Sequence, residues 1–134
     1  MKNAKKRVIA LLLCLVLSLA VLPAAALAAD GVGVNAANFP DVTFRSYVSM
    51  FDKDRDGRLS NAERAKVTEI YVAGRCISSL KGVEHFPALT VLDCSWNNLV
   101  NLNITQNKAL LTLNCSGNKL TTMASPSRSG SVAR

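Results

Sequence analysis

The chain has 134 residues, with 16 Lys+Arg against 9 Asp+Glu and a formal charge of +7. Four of the basic residues and none of the acidic ones fall in the first 29 positions, so residues 30–134 carry only +3 and residues 30–123 only +1. The basic balance thus belongs to the two ends, which removes the main support for nucleic-acid binding, and the remaining ~100 residues exclude a large enzyme while allowing one small domain.

Lys2, Lys5, Lys6 and Arg7 precede an apolar run from Val8 to Leu22, which Pro23 breaks before Ala26-Leu27-Ala28. A positive start, an apolar middle and an A-x-A end predict a secretory signal peptide over residues 1–29, cut after Ala28 or Ala29. The rival reading is an uncleaved anchor, because residues 8–29 just reach bilayer length; Pro23 and the Ala-rich end favour cleavage. Cys14 lies inside the apolar run with Leu12 and Leu13 before it, without the small residues a lipidation site requires. The expected location is therefore secreted or extracellular, possible at a cell surface but with no stable membrane anchor, in an oxidising compartment rich in calcium.

Phe44, Tyr47, Val48 and Phe51 recur at i, i+3, i+4 and i+7 and predict an amphipathic helix starting near Asp41. Directly after it, the run from Asp52 to Glu63 fills every position of the pattern D-x-D-x-D-G-x5-E. Asp52, Asp54 and Asp56 place carboxylates at alternate positions of a tight loop, and Gly57 permits the sharp turn. The Arg58 carbonyl, Ser60 through a water and both oxygens of Glu63 complete an all-oxygen set suited to Ca2+. Ser60-x-x-Glu63 also reads as a capping box opening a second helix through about Val67. The unit resembles an EF-hand. It is a single hand, and Lys53, Arg55 and Arg58 offset most of the loop's negative charge. Both features point to weak affinity, about 10⁻⁴ to 10⁻³ M, and to a structural metal rather than a sensor.

The second half repeats. Leu89, Leu92, Cys94, Asn97, Leu99 and Leu102 return 21 residues later as Leu110, Leu113, Cys115, Asn118, Leu120 and Met123. A looser copy fits Val67, Ile70, Val72, Arg75, Ile77 and Leu80 at an offset of 22, and Val83 answers Ile104. The pattern L-x-x-L-x-[LC]-x-x-N-x-L resembles the leucine-rich repeat family. What that implies is a short strand opening each copy, stacked in parallel on its neighbours, with Asn97 and Asn118 bonding main chain in the following turn. Arg75 departs from the asparagine position, so the first turn is expected to be irregular. Cys94 and Cys115 fall at an inward position of adjacent strands and read as a buried thiol ladder in preference to a disulfide. Cys76 lies off that set.

Together, FPDVTFRSYV, DKDRDGRLSNAE, ISSLKGVEHFPALTVLDCSWNNL and ALLTLNCSGNKL resemble secreted bacterial leucine-rich repeat proteins with an EF-hand-like segment at the N-terminus. The expected class is α+β, a short solenoid of parallel strands (residues 69–123) behind an EF-hand-like cap (residues 30–68). The resemblance implies non-catalytic binding of a protein or cell-surface ligand through the concave strand face: Thr90, Val91, Asp93 and Ser95 in one repeat, Leu111, Thr112, Asn114 and Ser116 in the next.

After Met123 every apolar template position is lost, and residues 124–134 read as a disordered tail. The missing end-cap suggests a truncated or frame-shifted copy of a longer secreted surface protein or enzyme. Catalysis has little to stand on within the chain. His85 is the one histidine, and no Ser or Cys sits in a nucleophile context. A dockerin-like docking module would need a second calcium loop, and Asp rather than Glu63 at the loop's end. Trp96 reads as cover for the edge of a repeat, with a contact aromatic as the alternative.

Overall fold

The computed structural model describes residues 30–127. The expected signal peptide and the last seven residues of the expected tail lie outside them. The architecture is α+β, with the short α-helices in the N-terminal part, a 3-10 turn over Val83–His85 and short strands along the whole described chain.

Strand β1 (Val32–Gly33) leads into helix α1 (Val42–Val48), and a single tight turn over Ser49–Phe51 extends the helix. Asp41 starts α1 as its N-cap, its carboxylate accepting from the Thr43 and Phe44 amides at 3.0 Å each. Phe44 and Val48 are buried, and Tyr47 and Phe51 are half-buried against them, as the 3.6-residue spacing requires. β2 (Arg58–Leu59) pairs antiparallel with β1, Val32 opposite Leu59 and Gly33 opposite Arg58. Helix α2 (Asn61–Arg64) opens on the expected capping box between Ser60 and Glu63. It is shorter than the expected run to Val67. After Arg64 the coil tightens, Lys66 donating to the Glu63 carbonyl and Val67 to Arg64, three residues back in each case. Such a narrowed last turn brings the chain round into a strand within two residues.

That strand is β3 (Glu69–Tyr71), followed by β4 (Val91–Asp93), β5 (Asn101–Asn103), β6 (Thr112–Asn114) and β7 (Thr122–Ala124). β3, β4 and β6 form one parallel sheet, with Ile70, Leu92 and Leu113 in register. The offsets are the 22 and 21 residues of the sequence repeat, so strands sharing a pattern position lie side by side. β5 and β7 form a second parallel pair, Leu102 opposite Met123. This pair was not read from the sequence, and its last residue, Ala124, is the first residue of the expected tail.

The buried apolar cluster runs without interruption from Phe39 through Phe44, Leu59, Ile70, Leu92 and Leu102 to Ile104. Cap and repeats therefore share one core rather than two. All of its members, including the half-buried ones, lie between Val32 and Leu120. Among the described residues, no helix is long and apolar enough to cross a membrane.

Candidate functional site

The loop between α1 and α2 brings three carboxylates together. One oxygen each of Asp52, Asp54 and Glu63 lies within 4.8 Å of the other two, a group that could hold a metal ion. Backbone amides keep these like charges in place. Asp56 N–H donates to Asp52 Oδ1 and Asp54 Oδ1, both at 3.2 Å, and Gly57 N–H donates to Asp52 Oδ2 at 2.9 Å. Lys53 N–H donates to Glu63 Oε1 at 2.7 Å, and Ser60 N–H and Oγ–H donate to Glu63 Oε2 at 2.9 Å. The Asp52 and Asp54 oxygens and Glu63 Oε1 that accept one amide each keep a second lone pair for a cation, whereas Glu63 Oε2 already accepts two bonds from Ser60.

The other expected ligands are placed differently. Asp56 stands outside the three-carboxylate group, and its Oδ1 accepts the Arg58 amide at 2.7 Å. Ser60 spends its hydroxyl on Glu63 within the capping box. Arg58 lies in β2. Its neighbours bond to β1, since Val34 N–H reaches the Gly57 carbonyl at 2.9 Å and Leu59 faces Val32. The alternation of an antiparallel pair turns the Arg58 N–H and C=O to the loop side, in keeping with the amide bond to Asp56. The single loop is thus not left without a sheet partner: residues 32–33 supply one. Gly31 permits the approach, at φ +113°, where an added Cβ would stand 2.6 Å from the Leu59 carbonyl oxygen.

Electrostatics at the loop follow from this packing. The amides of Lys53 and Ser60 hold the Glu63 carboxyl below its ordinary value. At Asp54 the Asp56 amide also pulls downward, but desolvation and the charges of Asp56 and Glu63 outweigh it, and the carboxyl sits above its ordinary value. A proton on Asp54 relieves a repulsion that a bound cation would relieve more fully.

The second candidate site is the outer face of the β3–β4–β6 sheet. Val91, Asp93, Thr112 and Asn114 occupy it, with Thr90 and Leu111 at its start and Ser116 at its end. Ser95 is a correction. It is buried, and its hydroxyl donates to Asp93 Oδ1 at 2.7 Å, so it shapes the face from beneath instead of lining it. Ser116 repeats the device on Asn114 Oδ1 at 2.8 Å but stays exposed. Thr90 turns its hydroxyl to the Thr68 carbonyl at 3.0 Å. The Ser95 hydroxyl and amide hold the Asp93 carboxyl below its ordinary value, with help from Asn114, so it stays ionised.

Two residues of this face were missed. Glu69 and Tyr71 align with Val91 and Asp93 across β3 and β4, and Tyr71 is 51% exposed. The looser first copy carried the signal: once Ile70 is inward, its two neighbours must face out. The expected irregularity at Arg75 is present. Its guanidinium lies 5.3 Å from the centre of the Tyr47 ring, and Cys76 beside it takes φ +58°.

The asparagines act as expected. Asn97 Oδ1 accepts the amides of Arg75 (3.0 Å) and Ile77 (2.9 Å), while its Nδ2 lies within bonding reach of the Val72, Cys94 and Ser95 carbonyls. Asn118 reaches back to Leu99 N–H and the Cys94 carbonyl in the same way. Asn107 was missed. It is buried and ties the Val83 and Phe86 carbonyls at 2.9 and 3.1 Å. The three cysteines in the described part are free, and burial pushes the Cys94 thiol up to about 12, so it is inert as a nucleophile. Trp96 is 72% exposed, with its ring over Gly117. It takes φ +55° at the repeat position that Gly74 and Gly117 fill with φ +65° and +66°.

Set beside known proteins, the chain matches no model of a protein family, and no curated protein matches it significantly.

Proposed function

We propose that this chain is a secreted, non-catalytic leucine-rich-repeat module that binds a protein or cell-surface ligand, with an N-terminal EF-hand-like loop whose Ca2+ stabilises the fold. The observation that carries the reading is the loop itself. Three carboxylates converge within 4.8 Å at the first, third and twelfth positions of a complete D-x-D-x-D-G-x5-E run. A hard, all-oxygen set without a nitrogen or sulfur donor selects calcium or magnesium over zinc or copper. Calcium is favoured over magnesium because a set of three carboxylates and the Arg58 carbonyl, completed by water, suits the larger ion's flexible shell better than a strict octahedron. The repeat reading draws support from the parallel pairing at the repeat offset and from the asparagine bonds. On the sheet face, ionised Asp93, Tyr71 and Asn114 supply polar and aromatic groups for a partner, while nothing there forms a nucleophile and base pair.

The test is thermal unfolding of residues 30–134 in millimolar calcium and in chelator, alongside Glu63→Gln. Calcium should raise the midpoint by several degrees in the parent, since a ligand at about ten times its Kd adds ~1.4 kcal/mol, and by little in the variant. Midpoints indifferent to calcium in both proteins would overturn the metal reading while leaving the repeat reading in place.

A further inference from the structure

The six outward positions of the β3–β4–β6 sheet are Glu69, Tyr71, Val91, Asp93, Thr112 and Asn114. Two are carboxylates and none is basic, and no Lys or Arg occurs anywhere in residues 68–71, 90–93 or 111–114. The face thus carries −2 on a chain whose residues 30–123 sum to +1. Its charges gather around one ring. Tyr71 and Asp93 are register partners on neighbouring strands, about 4.8 Å apart, and Glu69 stands two residues before Tyr71 on the same side, about 7 Å away. Tyr71, half exposed, therefore has one carboxylate beside it across the sheet and another along its own strand. Partial desolvation and the charges of Glu69 and Asp93 hold its hydroxyl above the ordinary value, so the ring stays neutral.

The face is also set in advance. Ser95 fixes the Asp93 carboxylate through its amide at 3.0 Å and its hydroxyl at 2.7 Å. The nearby basic side chains are engaged elsewhere: Arg64 donates to the His85 carbonyl, and Arg75 covers the Tyr47 ring at 5.3 Å. That second contact is instructive, because the Tyr47 hydroxyl accepts the Tyr71 amide. The molecule already lays a guanidinium on the tyrosine next to the one whose ring stands among the carboxylates. A cation placed against Tyr71 gains the same ring attraction together with two negative charges. Surfaces rich in phosphate or sulfate are repelled by those charges. A small free cation would leave Val91 and Leu111, the latter 74% exposed, in water, whereas a peptide covers them. Building on the binding function proposed above, we propose that this face docks a protein segment presenting a Lys or Arg side chain. The cation lies against the Tyr71 ring beside Glu69 and Asp93, and the segment's polar groups reach Thr112 and Asn114.

Amide-resolved NMR titration of 15N-labelled residues 30–134 in millimolar calcium tests this. The probes are three otherwise identical short peptides carrying Arg, Gln or Glu at two positions. The Arg peptide should shift the amides of residues 69–71, 91–93 and 112–114 and bind about tenfold or more tighter than the Gln peptide, with the Glu peptide weakest. Raising salt from about 20 to 200 mM should weaken it severalfold. Glu69→Gln with Asp93→Asn should weaken it about tenfold or more, and Tyr71→Leu about threefold. Glu84→Gln, on the turn over Val83–His85 and away from this face, should leave it unchanged. Should Asp93→Asn fail to fold, Glu69→Gln and Tyr71→Leu, both at exposed positions, decide alone. An Arg peptide no tighter than the Gln peptide, shifts confined to residues 52–63, or insensitivity to the face variants would each overturn the proposal. Equal binding of all three peptides at the face leaves the binding function standing without its cationic partner, whereas silence there with every peptide overturns both.

Discussion

At the residue scale, Asn97 shows how one side chain can define a turn that no regular element closes. It is nearly fully buried, and its amide is shared between two main-chain N–H groups of the preceding turn and three carbonyls. Removing it leaves several buried backbone groups unpartnered, and each such group costs about 1–3 kcal/mol. Asn97→Ala should therefore lower unfolding stability by about 3 kcal/mol or more. Asn97→Asp discriminates between the two halves of the amide. It keeps an acceptor for Arg75 and Ile77 but sets a carboxylate against the Val72 and Cys94 carbonyls, so it should be at least as damaging as alanine in urea titration. An aspartate milder than alanine would show that the donated bonds carry little of the effect. Trp96 is the contrary case. It is the bulky residue at a left-handed position where its two counterparts are glycine, and its ring packs over Gly117 while its amide bonds the Ser116 carbonyl.

At the element scale, the first turn of α1 is joined to the repeat region through a single carboxylate. Asp41 caps the helix, and its second oxygen accepts the Ser78 amide at 2.9 Å and the Ser78 hydroxyl at 3.0 Å, 37 residues away. Burial raises its pKa, but the bonds from Phe44, Ser78 and Thr43 outweigh that and hold it below the ordinary carboxylate value. A depressed folded value means that its contribution is complete above the unfolded value near 3.8 and is lost as pH falls through the folded one. Asp41→Ala should cost about 1–2 kcal/mol at neutral pH. Asp41→Asn keeps a cap acceptor and should cost less, and its deficit should shrink below about pH 4 as the parent's carboxyl protonates. Equilibrium unfolding of the three proteins at pH 7 and pH 3 checks both statements. A deficit that stays constant with pH would mean that the charge itself is unimportant. This joint was not legible in the sequence, where Asp41 reads only as a helix start; a bond spanning 37 residues leaves no periodic trace. What was legible followed from spacing. The cap helix, the loop, the capping box and strands β3, β4 and β6 each rest on an apolar or ligand period. β1 is two residues long, too short to show one; β5 and β7 do carry the repeat, Leu102 answering Met123, but a strand is expected only in the first part of each copy. Asp56 was read as a ligand because the pattern specifies residue type, whereas its amide bond to Arg58 depends on how the turn closes.

At the scale of the whole molecule, the cap and the repeats are held together by aromatic packing as well as by Asp41. Phe39 lies edge-on to Phe44 at 6.1 Å between ring centres and to His85 at 5.8 Å, and tilted against Phe86 at 6.5 Å. Phe51 meets Phe86 at 5.8 Å. Two regions that share such a cluster cannot unfold independently without opening each other's core. The single Trp sits far along the chain at position 96, so its fluorescence reports the repeats, while release of the calcium proposed for the loop would report the loop. The two probes should therefore give one midpoint in a denaturant titration. Phe39→Ala, at a fully buried site, should cost about 3–5 kcal/mol and shift both probes together. If instead Trp96 unfolds at its original midpoint while the loop loses calcium early, the repeats hold themselves up, and the cap is an attached domain rather than part of their core. Coincident shifts would place the loop's cation among the determinants of the repeat surface, because any free energy gained at Asp52, Asp54 and Glu63 is then felt as far as β6.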